Sequence, residues 1–158
     1  MKITKVEVMA TNVPFRGSEG NTGEIALGKW ELCRFVIVKV HTDEGIVGYG
    51  ESAPFARLSP LGQKPIIDVL VDYVAPSVIG LDPFNTEEIW KVMDRATPDN
   101  AQAKGAVDMA LYDIMGKKTG QPVCNFLGGA VRHEIPLQAI VTIDSLENMK
   151  RASIHQVE

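Results

Sequence analysis

The stretch that most constrains this chain covers residues 100–129, NAQAKGAVDMALYDIMGKKTGQPVCNFLGG. Ala103, Val107, Ala110, Leu111 and Ile114 recur at helical spacing, with the small residues Gly105, Ala106 and Ala110 among them. A helix with that surface packs closely against its neighbours and is expected to be the buried spine of the domain. Gly105 costs a helix interior roughly 1 kcal/mol relative to alanine, which points to close approach of another backbone there. Asp113 and Lys117 form an i,i+4 pair in the favourable order. Lys117 and Lys118 sit where the helix dipole favours cations, and Gly120 followed by Pro122 marks the stop.

The same run carries D-x-A-L-Y-D, G-K, G-x-P-V and L-G-G in order, at spacings a generic amphipathic helix does not reproduce. It resembles the signature helix and following short helix in the N-terminal domain of the mandelate racemase/muconate lactonizing enzyme family of the enolase superfamily. Within that family the likeness is to the group containing muconate cycloisomerases, amino-acid racemases and dipeptide epimerases. The resemblance implies an α+β capping domain joined, in the complete protein, to a β/α barrel that does the chemistry.

At 158 residues the chain has room for one domain with a sizeable core, or one domain plus part of a second. Hydrophobic residues at 45% and charged residues at 23% are ordinary for a globular protein, so the chain is expected to fold. A net charge of −4 without a Lys/Arg block argues against nucleic acid or an anionic membrane as partner, because either needs a clustered basic face. A small molecule fits better. Cys33 and Cys124 lack metal or redox spacing and are read as reduced core thiols. The N-terminus alternates instead of forming an apolar leader, and no run is long enough to span a bilayer, so a cytoplasmic protein is expected.

Ile3, Val6, Val8 and Ala10 come close to the alternation of a half-buried first strand. Residues 14–29 break into a glycine-rich loop of the length usually reserved for function or motion. A second strand is expected over residues 31–42 and a third over 46–50, with Asp43-Glu44-Gly45 turning between them, which makes an antiparallel meander. Gly45, Gly48 and Gly50 do not form a dinucleotide loop: their order is wrong and they lie in a hairpin. A second loop covers residues 52–61. A helix follows over residues 62–75, with Ile66, Ile67, Leu70 and Val74 on one face and Pro76 ending it. Asn85 with Glu88 reads as an N-cap and its reciprocal partner, with Phe84 against Ile89 as a staple, and Trp90 and Met93 continue that helix inward. The fold class is therefore α+β, a three-stranded antiparallel meander followed by helices, forming a capping domain over residues 1–129.

Residues 130–158 do not belong to that pattern. An almost wholly apolar run at residues 137–143 reads as a strand buried on both faces of a parallel sheet. Ser145 then caps a helix expected to turn Leu146, Met149 and Val157 inward. Together they make the opening β-α unit of a truncated β/α barrel, where the family's catalytic barrel would begin.

In the resembled family a Lys or His base removes a proton next to a carboxylate while metal ions stabilise the enolate. The resemblance implies Mg²⁺, or a similar divalent ion, held by carboxylates on later barrel strands, with bases on a Lys-x-Lys strand. This sequence contains neither, so no catalytic base and no metal ligand is assigned. His41, His133 and His155 lack metal-pair spacing and are read as surface residues. Asp108 and Asp113 lie about 140° apart around one helix and are expected to pair with Lys104 and Lys117. A specificity role remains, carried over by resemblance to the two loops that cap the barrel mouth. Arg16 would meet a substrate carboxylate as a bidentate donor, although a solvated loop arginine is the simpler reading. Phe55 would supply an apolar wall or merely anchor its loop. Thr142 stands near the C-terminal end of the first barrel strand, where active-site residues point. Two functions follow. One is the substrate-capping part of such an isomerase, inert alone, needing a C-terminal barrel domain and a small carboxylate substrate, and by analogy forming a homo-oligomer. The other is a non-enzymatic binding or assembly module that pairs with a separate barrel chain.

Overall fold

The computed structural model describes residues 1–17, 22–26, 28–55, 62–137 and 140–155. Its strands in chain order are β1 (Ile3–Pro14), β2 (Glu24–Ile25), β3 (Gly28–Lys29), β4 (Leu32–Thr42) and β5 (Val47–Ser52). Strands β1, β4 and β5 form a three-stranded sheet in that order, and β2 pairs with β3 in a two-stranded one. The expected meander is present. Strand β4 shows why: Val36, Val38 and Val40 are fully buried and alternate with half-buried Ile37, Lys39 and His41, as a sheet with one face on the core requires. It runs antiparallel to β5, with Val38 opposite Gly50 and Val40 opposite Gly48. At the connecting turn Gly45 takes φ 77°, and the Thr42 hydroxyl oxygen accepts the Ile46 N–H at 3.1 Å.

The chain divides into two compact units, residues 1–11 with 34–130, and residues 12–33 with 131–158. In the first unit the sheet is covered by α1 (Gln63–Val69), a π turn (Leu70–Val74), α2 (Ala75–Val78), α3 (Thr86–Ala96) and α4 (Ala101–Thr119). A short 3-10 turn, Val123–Leu127, follows.

The helix expected to stop at Pro76 instead continues to Val78. Ile66, Leu70, Val74 and Val78 are all fully buried and stand four residues apart. Four residues overshoot one α-helical turn by about 40°, so three such steps would swing this stripe about 120° off the core. The wider π turn takes up part of that swing: the Ala75 N–H reaches back five residues to the Leu70 carbonyl. Pro76, which has no N–H to place, falls in the first turn of α2 just beyond it.

Helix α4 is the buried spine: Ala103, Ala106, Val107, Ala110, Leu111 and Ile114 are sealed from solvent. Gly120 in the left-handed region ends it, as expected. The close approach inferred at Gly105 lies elsewhere, because nothing stands within 4 Å of a β-carbon built there. It occurs at β5, where a β-carbon on Gly48 would lie 2.1 Å from the Ala110 carbonyl oxygen and one on Gly50 1.8 Å from that of Ala106. Strand backbone rests on helix backbone, which only glycine permits.

Side chains of α4 also finish the free edge of β5. Asp113 accepts the Tyr49 N–H at 2.8 Å, and the Lys117 ammonium donates to the Val47 carbonyl at 2.8 Å and to Asp113 at 2.6 Å. The expected Asp113–Lys117 pair is therefore formed, and it satisfies a strand edge as well. The expected Asp108–Lys104 pair is not. Asp108 accepts the Trp90 indole N–H at 2.8 Å, whereas Lys104, only 3% exposed, reaches Asp94 on α3 at 2.5 Å and the Thr97 carbonyl at 3.3 Å. Lys104 lies on the inward face of α4, so its ammonium finds partners where α3 ends. Asn85 does stand at the N-cap of α3, but its side chain makes no cap bond to the backbone and donates instead to Glu88 at 3.2 Å.

In the second unit, Phe15 N–H donates to the Glu31 carbonyl and Trp30 N–H to the Gly23 carbonyl, closing the base of the β2–β3 hairpin. Helix α5 (Leu146–His155) is capped as expected by Ser145, whose hydroxyl accepts the Asn148 N–H at 3.2 Å. Leu146, expected inward, is 83% exposed, Met149 is half-buried, and Val157 lies outside the described residues. Of the strand expected over residues 137–143, the described residues join no ladder; Gln138 and Ala139 lie outside them. Leu137 is 94% exposed, and Ile140 and Ile143 are also exposed. A strand of a parallel sheet takes its backbone partners from neighbours on both sides, whereas here the Ile143 N–H bonds to the Glu24 carbonyl of β2.

Candidate substrate-facing site

Arg16 is exposed and immediately follows Phe15, whose ring meets Trp30 edge-on at a centroid distance of 6.1 Å. Beneath that ring lies buried Gly23 at φ 75°; a β-carbon there would come within 2.7 Å of Phe15. This aromatic pair with its glycine braces the loop that carries Arg16. Residues 18–21 and Leu27, also part of the expected first loop, lie outside the described residues.

Thr142 is 7% exposed and belongs to the same unit as Arg16. Its hydroxyl lies 3.5 Å from that of Thr22. Thr22 in turn donates to the Ile143 carbonyl at 2.7 Å and accepts the Glu24 N–H at 3.3 Å, while the Ile143 N–H donates to the Glu24 carbonyl at 2.8 Å. The hairpin and the segment ahead of α5 are thus joined across about 120 residues of sequence. Thr22, Phe15 and Trp30 were not singled out by sequence reasoning. The available signal was a pair of aromatic residues bracketing a glycine-rich loop. Phe55 belongs to the other unit and is half-buried, three residues beyond β5; most of the second loop, residues 56–61, lies outside the described residues.

His41 is half-buried, not on the open surface, with Nε2 3.3 Å from the Glu7 carboxylate. His133 is exposed, and the side chain of His155 lies outside the described residues. Glu7 is held below its ordinary value of 4.5 by the Lys5 hydrogen bond first and by His41 second. Cys33 and Cys124 are both free and half-buried. Among the described residues no three His, Cys, Asp or Glu side chains converge where a metal ion could be held. A divalent ion finds no donor set in them. No helix among the described residues is long and apolar enough to cross a membrane.

Residues 5–128 match the model of the mandelate racemase/muconate lactonizing enzyme N-terminal domain. The chain belongs to this family. Over all 158 residues it is 34% identical to the N-succinyl-L-Arg/Lys racemase of Bacillus cereus and 33% identical to the hydrophobic dipeptide epimerase of Enterococcus faecalis. It spans 42% and 43% of the lengths of those relatives. The crystal structure of the B. cereus racemase superimposes with a TM-score of 0.90 at 34% identity, covering 99% of this chain and 42% of that one. The structure of the E. faecalis dipeptide epimerase, complexed with Mg and the dipeptide L-Leu-L-Tyr, gives 0.87 at 32% identity, covering 99% of this chain and 43% of that one. The α+β architecture is thus that of the N-terminal part of mandelate racemase/muconate lactonizing enzyme family racemases and epimerases.

Proposed function

We propose that this chain is the substrate-capping portion of an enzyme that racemises or epimerises a small amino-acid-derived carboxylate by metal-assisted removal of the proton next to the carboxyl group. The observation that carries this reading is the match of the entire chain to a racemase and an epimerase of which it spans about two-fifths. Residues 1–129 act as the capping domain and residues 130–158 as the start of the barrel. A C-terminal barrel domain supplies the base and the carboxylates that hold Mg²⁺, in keeping with the share of the two relatives that this chain spans. Arg16, exposed beside a braced aromatic pair, takes the distal carboxylate of the substrate as a bidentate donor. Phe55 forms an apolar wall, and Thr142 stands at the mouth of the first barrel strand. The assembled protein works in the cytoplasm as a homo-oligomer.

The test is exchange of a substrate α-proton for deuterium. The 158-residue chain alone should give none with any added divalent metal; joined to the barrel, it should give metal-dependent exchange on N-acylated amino acids or dipeptides. In that enzyme Arg16→Ala should raise KM about tenfold for a substrate with a distal carboxylate and leave kcat within about twofold. Exchange catalysed by the isolated chain would overturn the division of labour, and unchanged KM would remove Arg16 from the site. A barrel-joined protein that binds ligands but never exchanges their protons would point to an assembly module.

A further inference from the structure

The proton inventory at Thr22 assigns a direction to the hydroxyl beside it. A threonine hydroxyl has one proton to donate and two lone pairs with which to accept. Thr22 donates its proton to the Ile143 carbonyl at 2.7 Å, and one lone pair takes the Glu24 N–H at 3.3 Å. Only an acceptor position remains toward Thr142, whose oxygen lies 3.5 Å away. In that contact Thr142 must therefore be the donor. A proton that Thr142 shares in this contact goes to Thr22, which leaves the Thr142 lone pairs for other donors.

We propose that Thr22 is the positioning residue of Thr142, fixing its side chain and presenting it to ligand as a hydrogen-bond acceptor. The ligand class this favours carries an N–H, an amide or an ammonium, in place of an ester oxygen. The proposal rests on the reading above that Thr142 faces substrate, and it adds the polarity of that contact. The second bond between the same segments, from Ile143 N–H to the Glu24 carbonyl at 2.8 Å, keeps the Thr142–Ile143 backbone in register with Thr22.

Solution NMR of the 158-residue chain tests the positioning directly. Thr22→Val keeps the shape of the side chain and removes its hydroxyl; it should speed exchange of the Ile143 amide about tenfold and average the Thr142 side chain over several rotamers, read from three-bond couplings. Thr22→Ser should restore slow exchange and a single rotamer. Slow exchange with a single rotamer in Thr22→Val overturns the proposal. If valine prevents folding, seen as lost protection at Val38, Thr22→Ala is measured in the same way. Joined to the barrel, Thr22→Val should raise KM about tenfold for an N-acyl amino acid with kcat within about twofold, with a smaller rise for the O-acyl isostere that lacks the N–H, and serine should rescue it. Equal rises for the two ligands overturn the acceptor role. A wild-type enzyme without any exchange activity sinks the enzymatic reading instead, and the NMR result still decides the positioning.

Discussion

A β-carbon on Gly50 would stand 1.8 Å from the carbonyl oxygen of Ala106, so β5 and α4 meet backbone to backbone. The obstacle is main chain and has no rotamer to change. Gly50→Ala should therefore force the strand off the helix and destabilise the fold by about 3 kcal/mol, the upper end of what overpacking costs. Urea unfolding measures this, and a loss below about 1 kcal/mol would mean that the sheet slides freely over the helix.

Gly105→Ala is expected to have the opposite sign. Nothing lies within 4 Å of the added carbon, and the residue is inside α4. Helix propensity then decides, and stability should rise by roughly 0.5–1 kcal/mol in the same urea experiment.

Asp94→Ala should cost about 2 kcal/mol, because it leaves the buried Lys104 ammonium with the Thr97 carbonyl at 3.3 Å and the face of the Trp90 ring at 5.8 Å, and no carboxylate among the described residues. Asp94 itself is 59% exposed, so most of the loss arises on the lysine side. Lys104→Met removes the charge and keeps the apolar stem, and it should cost less than Asp94→Ala. The reverse order in chemical denaturation would show that the pair itself, not the burial of the ammonium, holds α3 to α4.

Glu7 gives the sheet an acid-sensitive contribution. Its carboxyl is held below the ordinary 4.5 by Lys5 and then His41, so the fold favours the ionised form. That contribution is complete above the unfolded-state value and disappears as pH falls through the lower folded value. Glu7→Gln should lie below wild type in stability at neutral pH and converge with it in acid. A stability difference that stays constant across the acid range would contradict the assignment.

The sequence made the helical spine and the meander legible because both write their burial as a period: small and aliphatic residues at helical spacing in α4, and alternating valines in β4. The glycines were harder to place. Gly105 stood out because glycine is costly in a helix, yet the crowded positions are Gly48 and Gly50, which as hairpin residues had a local explanation that hid a tertiary one. Pro76 read as a terminator under the rules of an α-helix; the four-residue spacing from Ile66 to Val78 was the sign of a wider turn. Lys104 illustrates a further limit, because its choice of Asp94 over Asp108 depends on where α3 ends and not on spacing within α4. For the candidate site, Arg16, Phe55 and Thr142 came from likeness to a family. Thr22 gains meaning only when the chain folds back on itself, since no local pattern links it to a segment 120 residues away.

Asp113 and Lys117 carry a consequence beyond holding α4 to the sheet. With the Tyr49 N–H and the Val47 carbonyl already taken by side chains, an incoming peptide finds two of the main-chain groups it would pair with on that stretch of the β5 rim occupied. Copies of this chain that meet there cannot zip into a continuous cross-molecular ribbon without first dislodging a carboxylate and an ammonium.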